Sequence, residues 1–277
     1  MTTATEALLE VRPAQRAALD AFVALLLRDL TVLRKTFVAF ALRTVLQPVL
    51  LVFVFTYVFP KIGQGIGGGG ARAAAFSTLL VPGVVATSVI FQGIQAVALP
   101  LVQEFGYTRE IDDRVMAPLP VWAVAVGKIA SGMVQGMVAA AIVFPLAALI
   151  PATPVHLTVH WQLVPVLLLA TALGASLGLT IGTRAAPQQV PLVFGIIVIP
   201  ITFLGATYYP WVRLTPIAWL KWFVLVNPLV YMSEAFRLAL TVGIPHMPVA
   251  GIYAALIGFT SLLAWLGISG FRKRVLT

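Results

Sequence analysis

Apolar positions run along this chain in long uncharged blocks, each set off by a short polar or glycine- and proline-rich interval. Before the first block, from Ala17 to Gln47, the pattern is two-faced. Asp20, Arg28, Lys35 and Arg43 share one side of a helix, and Phe22, Leu26, Leu30, Leu33, Phe37 and Phe40 share the other. A basic and apolar helix of this kind lies in the membrane interface. Leu46-Gln47-Pro48 is expected to end it, because proline disfavours helical geometry at the preceding residue. The uncharged blocks then predict six spans. Val49–Phe59, with the residues just before it, is the first, and Phe76–Leu101 is the second. Val121–Leu149, Gln162–Thr183, Val190–Tyr209 and Val249–Phe271 follow. A helix needs about 20 apolar residues to cross a bilayer.

The segment Pro210–Pro248 fits neither a span nor a solvated loop. Ile217, Leu220, Phe223 and Val224 are apolar, while Tyr208, Tyr209, Trp211, Trp219, Trp222 and Tyr231 are rings suited to headgroup level. Asn227-Pro228 reads as a helix start, with Asn as N-cap and Pro in the first helical position. The expected form is a re-entrant helical hairpin dipping into the outer leaflet before the sixth span. The fold class is therefore all-α and polytopic, with six transmembrane helices, an N-terminal interfacial helix and this hairpin. The whole chain, 1–277, reads as one transmembrane domain. Residues 1–47 are a cytoplasmic tail and interfacial helix, 48–271 the six-span core, and 272–277 a second cytoplasmic tail.

Composition strengthens this picture. Of the 277 residues, 60% are hydrophobic and 10% charged, which excludes a soluble globule, a coiled coil and disorder. Cysteine is absent, so disulfides, thiolate metal sites and thiol nucleophiles are excluded. The net charge of +9 would suggest nucleic acid in a soluble chain. Here it serves topology and contact with anionic lipid, and no nucleic-acid partner is expected. With the N-terminus inside, Arg12, Arg16, Arg28, Arg34, Lys35, Arg109, Arg114, Arg184, Arg272, Lys273 and Arg274 fall on the inner side. Lys61, Arg72, Arg213, Lys221 and Arg237 fall outside. The positive-inside rule thus puts both termini in the cytoplasm, in a multi-pass protein of the plasma (inner) membrane.

Catalytic chemistry finds little support. The run Gly63–Gly70 lacks the Lys-Ser/Thr that holds phosphate and magnesium, so it is no P-loop. Gly174-Ala175-Ser176-Leu177-Gly178 matches the letters of a nucleophile elbow but lies inside a span. Gly174, Gly178 and Gly182 instead recur every four residues, a small-residue stripe for close helix approach, and Gly132 and Gly136 repeat it. His156 and His160 are spaced as ligands on one helical turn would be, yet sit in a loop with no carboxylate nearby in sequence, so no metal is expected. No Asp, Glu, Lys or Arg falls between Ile129 and Thr183 or in the fifth and sixth spans. That argues against ion-coupled transport, since ionisable groups in spans mark ion paths.

Two segments carry the functional signal. Glu104–Pro120 combines Glu104, Arg109, Glu110, Asp112, Asp113 and Arg114 with Ile111, Val115 and Met116 on one apolar face. That is the form of a docking helix. The other is the hairpin, where Glu234 and Arg237 are three residues apart and able to pair. Two placements compete for them: facing the outer headgroups, or buried against a partner copy where the pair holds an outer gate closed.

At these segments the chain resembles the membrane subunits of ABC-2-type ABC exporters, a group with daunorubicin-type drug exporters and nodulation lipo-oligosaccharide exporters. Tyr209-Pro210, the Trp-rich turn, and Asn227-Pro228-Leu229-Val230-Tyr231 followed by Glu234-Ala235-Phe236-Arg237 are similar to the family's Asn-Pro-Leu-x-Tyr…Ala-x-Arg pattern. Arg114-Val115-Met116 before Pro118 resembles the family's charged loop, although its usual Gly-Thr-x-Glu is not reproduced around Gly106-Tyr107-Thr108. The resemblance implies a permease dimer, homomeric or with a related chain, moving an amphipathic drug, lipid or glycoconjugate outward. It implies a separate ABC ATPase subunit docked on the 104–120 segment. The chain itself would carry no cofactor and no catalytic residue, ATP and magnesium being held by the ATPase. The other reading is an integral-membrane enzyme acting on lipid, which buried His, Asp or Glu clusters would mark.

Overall fold

The computed structural model of the chain describes residues 14–64, 71–108 and 119–276. Among these residues every regular element is helical. Helix α1 is Ala14–Lys35 and α2 is Phe37–Lys61. Helix α3, Ala71–Gln103, runs on into a π turn over Glu104–Thr108. Helices α4, Val121–Leu149, and α5, Leu163–Arg184, follow. Helix α6 covers 190–203, α7 is Ala218–Val226, α8 is Pro228–Leu240 and α9 is Val249–Leu276. Among the described residues α2, α3, α4, α5 and α9 are long and apolar enough to cross a membrane, and α7 with α8 would make a sixth if that bent pair counted as one span.

Two expected boundaries are corrected. The amphipathic stretch 17–47 is not one helix. It breaks at Thr36, whose φ of −105° and ψ of 15° leave the helical basin, and Phe37–Gln47 belongs to the first candidate span. Pro48 does not end the helix; it sits inside it. A single proline removes one backbone bond, which a long apolar helix can absorb by bending. The second correction concerns Val190–Tyr209. Only 190–203 is helical, a rise of roughly 21 Å, short of the about 30 Å hydrocarbon thickness. A π turn occupies Phe194–Val198 just ahead of Pro200, and another occupies Val54–Val58 just ahead of Pro60. Proline cannot donate to the residue four back and its ring crowds that carbonyl, so a widened turn before it relieves both. The helix ends at Phe203, and three residues on, Ala206 adopts a positive φ of 53°.

Helix α3 is the centre of the bundle. Its most apolar window is 72% buried, against 17% for α2 and 11% for α9, which therefore lie at the periphery. Its partner is α5, and glycine is why the two come so close. A Cβ on Gly93 would stand 2.5 Å from the Gly174 backbone, and one on Gly178 would stand 2.7 Å from the Gly93 carbonyl oxygen. Gly182 meets Ala98 in the same way at 3.0 Å. The stripe Gly174, Gly178, Gly182 is thus the face of α5 laid on α3. Gly132 and Gly136 of α4 sit against Ala175 and Thr171 of α5. Without a hydrophobic drive between helices in lipid, such close backbone approach is the main source of cohesion.

Helix α9 closes the other flank of α5. Gly267 lies against Leu179, and Thr180 Oγ1 donates to the Leu263 carbonyl at 2.8 Å. At its end Arg274 donates to the carbonyls of Gly182, Thr183 and Ala185 at 3.3, 3.2 and 3.1 Å and lies over the Phe105 ring. Those carbonyls have no helical donor of their own at the terminus of α5.

Candidate functional site

Polar residues recur at helical spacing on three neighbouring helices. On α2 they are Arg43 and Gln47, with Thr36 just ahead of it; on α3, Ser88, Gln92, Gln95 and Gln103; on α4, Lys128, Ser131 and Gln135. Spacings of three, four and their sums put each set on one helix face. The fold turns these faces toward each other, with α1 across the end. Between them lies a cavity of about 610 Å³ lined by Arg28, Asp29, Arg43, Gln95, Gln103, Glu104, Lys128, Ser131 and Gln135. A narrower space of about 40 Å³ continues from it, lined by Arg43, Thr44, Gln47, Thr87, Ser88, Gln92, Gln95, Thr202 and Thr207. Thr44 donates to Gln92 Oε1 at 3.0 Å, and the Thr87 and Thr207 hydroxyls are 3.0 Å apart. The polar lining therefore runs from the Lys128 end of the bundle toward the loop at Thr207.

At the Lys128 end, Lys128 Nζ donates to Glu104 Oε1 at 2.7 Å, and the two side chains are 6% and 8% exposed. This removes Glu104 from the expected docking surface: it faces inward and neutralises a cation of α4. The rest of the docking set, Arg109, Glu110, Asp112, Asp113, Arg114, Val115 and Met116, lies outside the described residues, as does most of the run Gly63–Gly70.

At the opposite end the hairpin segment folds as two short helices, α7 and α8, bent by 96° at Asn227. The expected cap is present. Asn227 accepts from the Leu229 N–H at 2.9 Å, donates from Nδ2 to the Ile201 carbonyl at 2.7 Å, and precedes Pro228. Asn227→Ala is expected to destabilise the chain by about 1 kcal/mol, the usual loss for a cap, read as a lowered melting midpoint in detergent. Tyr231 donates to the Leu225 carbonyl at 3.1 Å across the bend, while Tyr209 is half-buried and Pro210 buried.

Helix α8 is buried along nearly its whole length, and its two charges are 0% exposed. Arg237 donates to Glu234 Oε1 at 2.8 Å, to the Thr207 carbonyl at 3.1 Å and to the Ala206 carbonyl. Glu234 also accepts from the backbone N–H of Trp211 and of Met247, both at 2.9 Å. This corrects both expected placements of the pair. It faces no headgroup, and it is enclosed by its own chain rather than by a partner copy. What surrounds it are backbone groups of 206–211 and 247, so the pair ties the loop after α6 and the lead into α9 onto α8. Gly83 makes room for that loop, since a Cβ there would meet the Thr207 carbonyl oxygen at 2.3 Å.

The remaining sequence candidates fall away from this site. His156 and His160 lie in the extended connection before α5. The His160 N–H donates to the Ala239 carbonyl at 3.0 Å and its Nδ1 lies 3.3 Å from the same oxygen, so this stretch caps α8. No group of three or more His, Cys, Asp or Glu that could hold a metal occurs among the described residues. Ser176 is 1% exposed and its Oγ meets no hydrogen-bond partner among them. The glutamines and Arg43 were the residues missed. Their signal was the three-four spacing of uncharged polar side chains inside spans, which a search for ionisable groups alone passes over.

The profile of the ABC-2 type transporter family matches residues 20–241, through α1 to α8. The chain belongs to the ABC-2 type transporter family. It is 28% identical over 224 residues to the inner membrane transport permease YadH of Escherichia coli K12, covering 78% of this chain and 82% of that one. The same figures hold for the YadH of Shigella flexneri. This ABC-2 chain is thus a membrane transport subunit, and both polar features described above fall within the matched region. Helix α9 lies beyond it.

Proposed function

We propose that this ABC-2 chain is the permease of an ATP-driven exporter, with two copies forming the membrane unit. In this reading the Lys128 end is cytoplasmic and the α7–α8 bend is a re-entrant hairpin in the outer leaflet. The cargo is an amphipathic molecule that enters at the wide cavity and moves outward along the polar lining toward Thr207. The observation that carries the proposal is the cavity itself. It is large enough for a headgroup, polar on its walls, and open beside helices whose other faces are apolar. A path of amide and hydroxyl side chains suits a polar head passing through an apolar bundle at little cost in desolvation. YadH is an inner membrane protein, and the same location is inferred for this chain.

The energy comes from a separate ABC ATPase subunit, the usual partner in the family, which would seat on the 104–120 segment. The chain lacks a phosphate-binding loop, so it is expected to hydrolyse no ATP when purified alone. The decisive experiment reconstitutes the chain with its ATPase in vesicles and follows ATP-dependent movement of fluorescent amphiphiles between leaflets. Val115→Asp places a charge in the small apolar contact expected to hold the ATPase. Co-purification should fall about tenfold or more, for a loss of a few kcal/mol, while the chain stays monodisperse. Full association and full stimulated hydrolysis in that variant would refute the docking assignment.

A further inference from the structure

The charges lining the wide cavity do not balance. Arg28 and Asp29 bring one of each sign, and Lys128 and Glu104 neutralise each other at 2.7 Å. Arg43 is the surplus. Among the described residues it has no hydrogen bond or ion pair. It sits on α2, a candidate span, about 9 Å along the helix from Phe37. Ionisable groups inside spans are expensive and ordinarily find a partner. Here no partner stands among the described residues, and the guanidinium lines a cavity.

Arg43 and Gln95 are also the residues common to the wide cavity and the narrow one. They stand at the junction, where anything passing from one to the other must meet them. Gln92, Gln135 and Gln47 surround the junction with further amides. Amide N–H groups and a guanidinium fork are the donors that oxyanions accept from. Beside the cavity, Val38, Leu42 and Leu46 form an apolar stripe on α2, exposed by 72%, 67% and 64%. A headgroup in the cavity would leave its tail along that stripe.

We propose that the wide cavity binds the oxyanion headgroup of a single-tailed amphiphile, a phosphate, sulfate or carboxylate, with Arg43 as the charge that selects it. This deepens the exporter reading and rests on it for the direction of movement, but the binding step stands alone.

The test uses the full chain in phosphatidylcholine nanodiscs. Two fluorescent probes share one acyl chain: lysophosphatidate, which is anionic, and lysophosphatidylcholine, which is zwitterionic. Lysophosphatidate is expected to bind at least about tenfold tighter, the order of one charge-assisted contact. Arg43→Gln should erase that preference, and Arg43→Lys should keep most of it. Ala39→Trp, on the cavity wall, should weaken both probes and guards against a folding defect in the Arg43 variants. Equal binding of the two probes by the wild type, or a preference that survives Arg43→Gln, overturns the proposal. Inorganic phosphate displacing lysophosphatidate mole for mole would assign the site to a soluble anion and overturn it as well. Binding with the expected selectivity but no ATP-driven movement in the reconstituted complex would sink the exporter reading and leave this site standing.

Discussion

Arg237→Ala is expected to unfold the α7–α8 end of the chain, at a loss of about 3–5 kcal/mol. The reason is what the guanidinium leaves behind. Glu234 would lose its only side-chain partner in a site with 0% exposure, held only by the Trp211 and Met247 amides. The Ala206 and Thr207 carbonyls would lose their donor at the point where the chain holds a left-handed residue. A buried pair is weak evidence for stability as such, because desolvation offsets much of its attraction. Removing one partner is a different matter, since the other charge stays behind without compensation. Glu234→Ala is expected to be as damaging, with two backbone donors orphaned in addition. The double variant Glu234→Leu with Arg237→Met should recover part of the loss, giving a coupling energy well above about 1 kcal/mol in a double-mutant cycle. Melting midpoints in detergent provide the readout. Strictly additive effects would mean that the two side chains do not act as a unit.

The second large effect is expected at the α3–α5 crossing. Gly93→Leu forces a side chain into a place where Cβ alone would stand 2.5 Å from a backbone carbon and 2.7 Å from the Ala175 nitrogen. Backbone cannot rotate away as a side chain tip can, so the helices must part. A loss of about 3 kcal/mol or more is expected, the upper end for overpacking. Gly258→Leu on α9 is the matched control, since a Cβ there meets nothing within 4 Å. It should leave the melting midpoint near the wild-type value. Equal damage at both positions would show that α3 and α5 are not the pair on which the bundle rests.

Most spans could be read from the pattern because lipid imposes one rule on every residue of a run. Val121–Leu149 is helical over the same bounds the uncharged block predicts. The glycine stripe on α5 was legible for the same reason, as small residues every four positions have one structural use in a span. Sequence failed where a local rule met a tertiary one. Pro48 reads as a helix stop, yet it lies inside α2, where a 25-residue apolar helix outlasts one missing bond. The block 190–209 reads as a full span. It stops short because Gly205 and Ala206 turn aside to lie under α8, where Ser233 donates to the Gly205 carbonyl at 2.8 Å. At the site, the Asn227 cap was local and legible. The surroundings of Glu234 and Arg237 were not, since their partners are backbone groups at 206, 207, 211 and 247, which carry no side-chain signature.

Arg274 has a consequence for how the molecule is built. Helix α9 is the last of the described helices to be synthesised, so α4, α5 and α8 enter the bilayer with the flank that α9 will cover still open to acyl chains. For the apolar part of that flank the wait is harmless, because lipid tails solvate it about as well as another helix would. The carbonyls of Gly182, Thr183 and Ala185 are in a different position: until the guanidinium arrives, only water or headgroups at the membrane edge can serve them. Arrival of Arg274 is therefore the step that seals the bundle. A chain cut before Arg274 would insert in full and yet leave the end of α5 unlatched, a defect visible to the quality-control proteases of the membrane rather than to the insertion machinery.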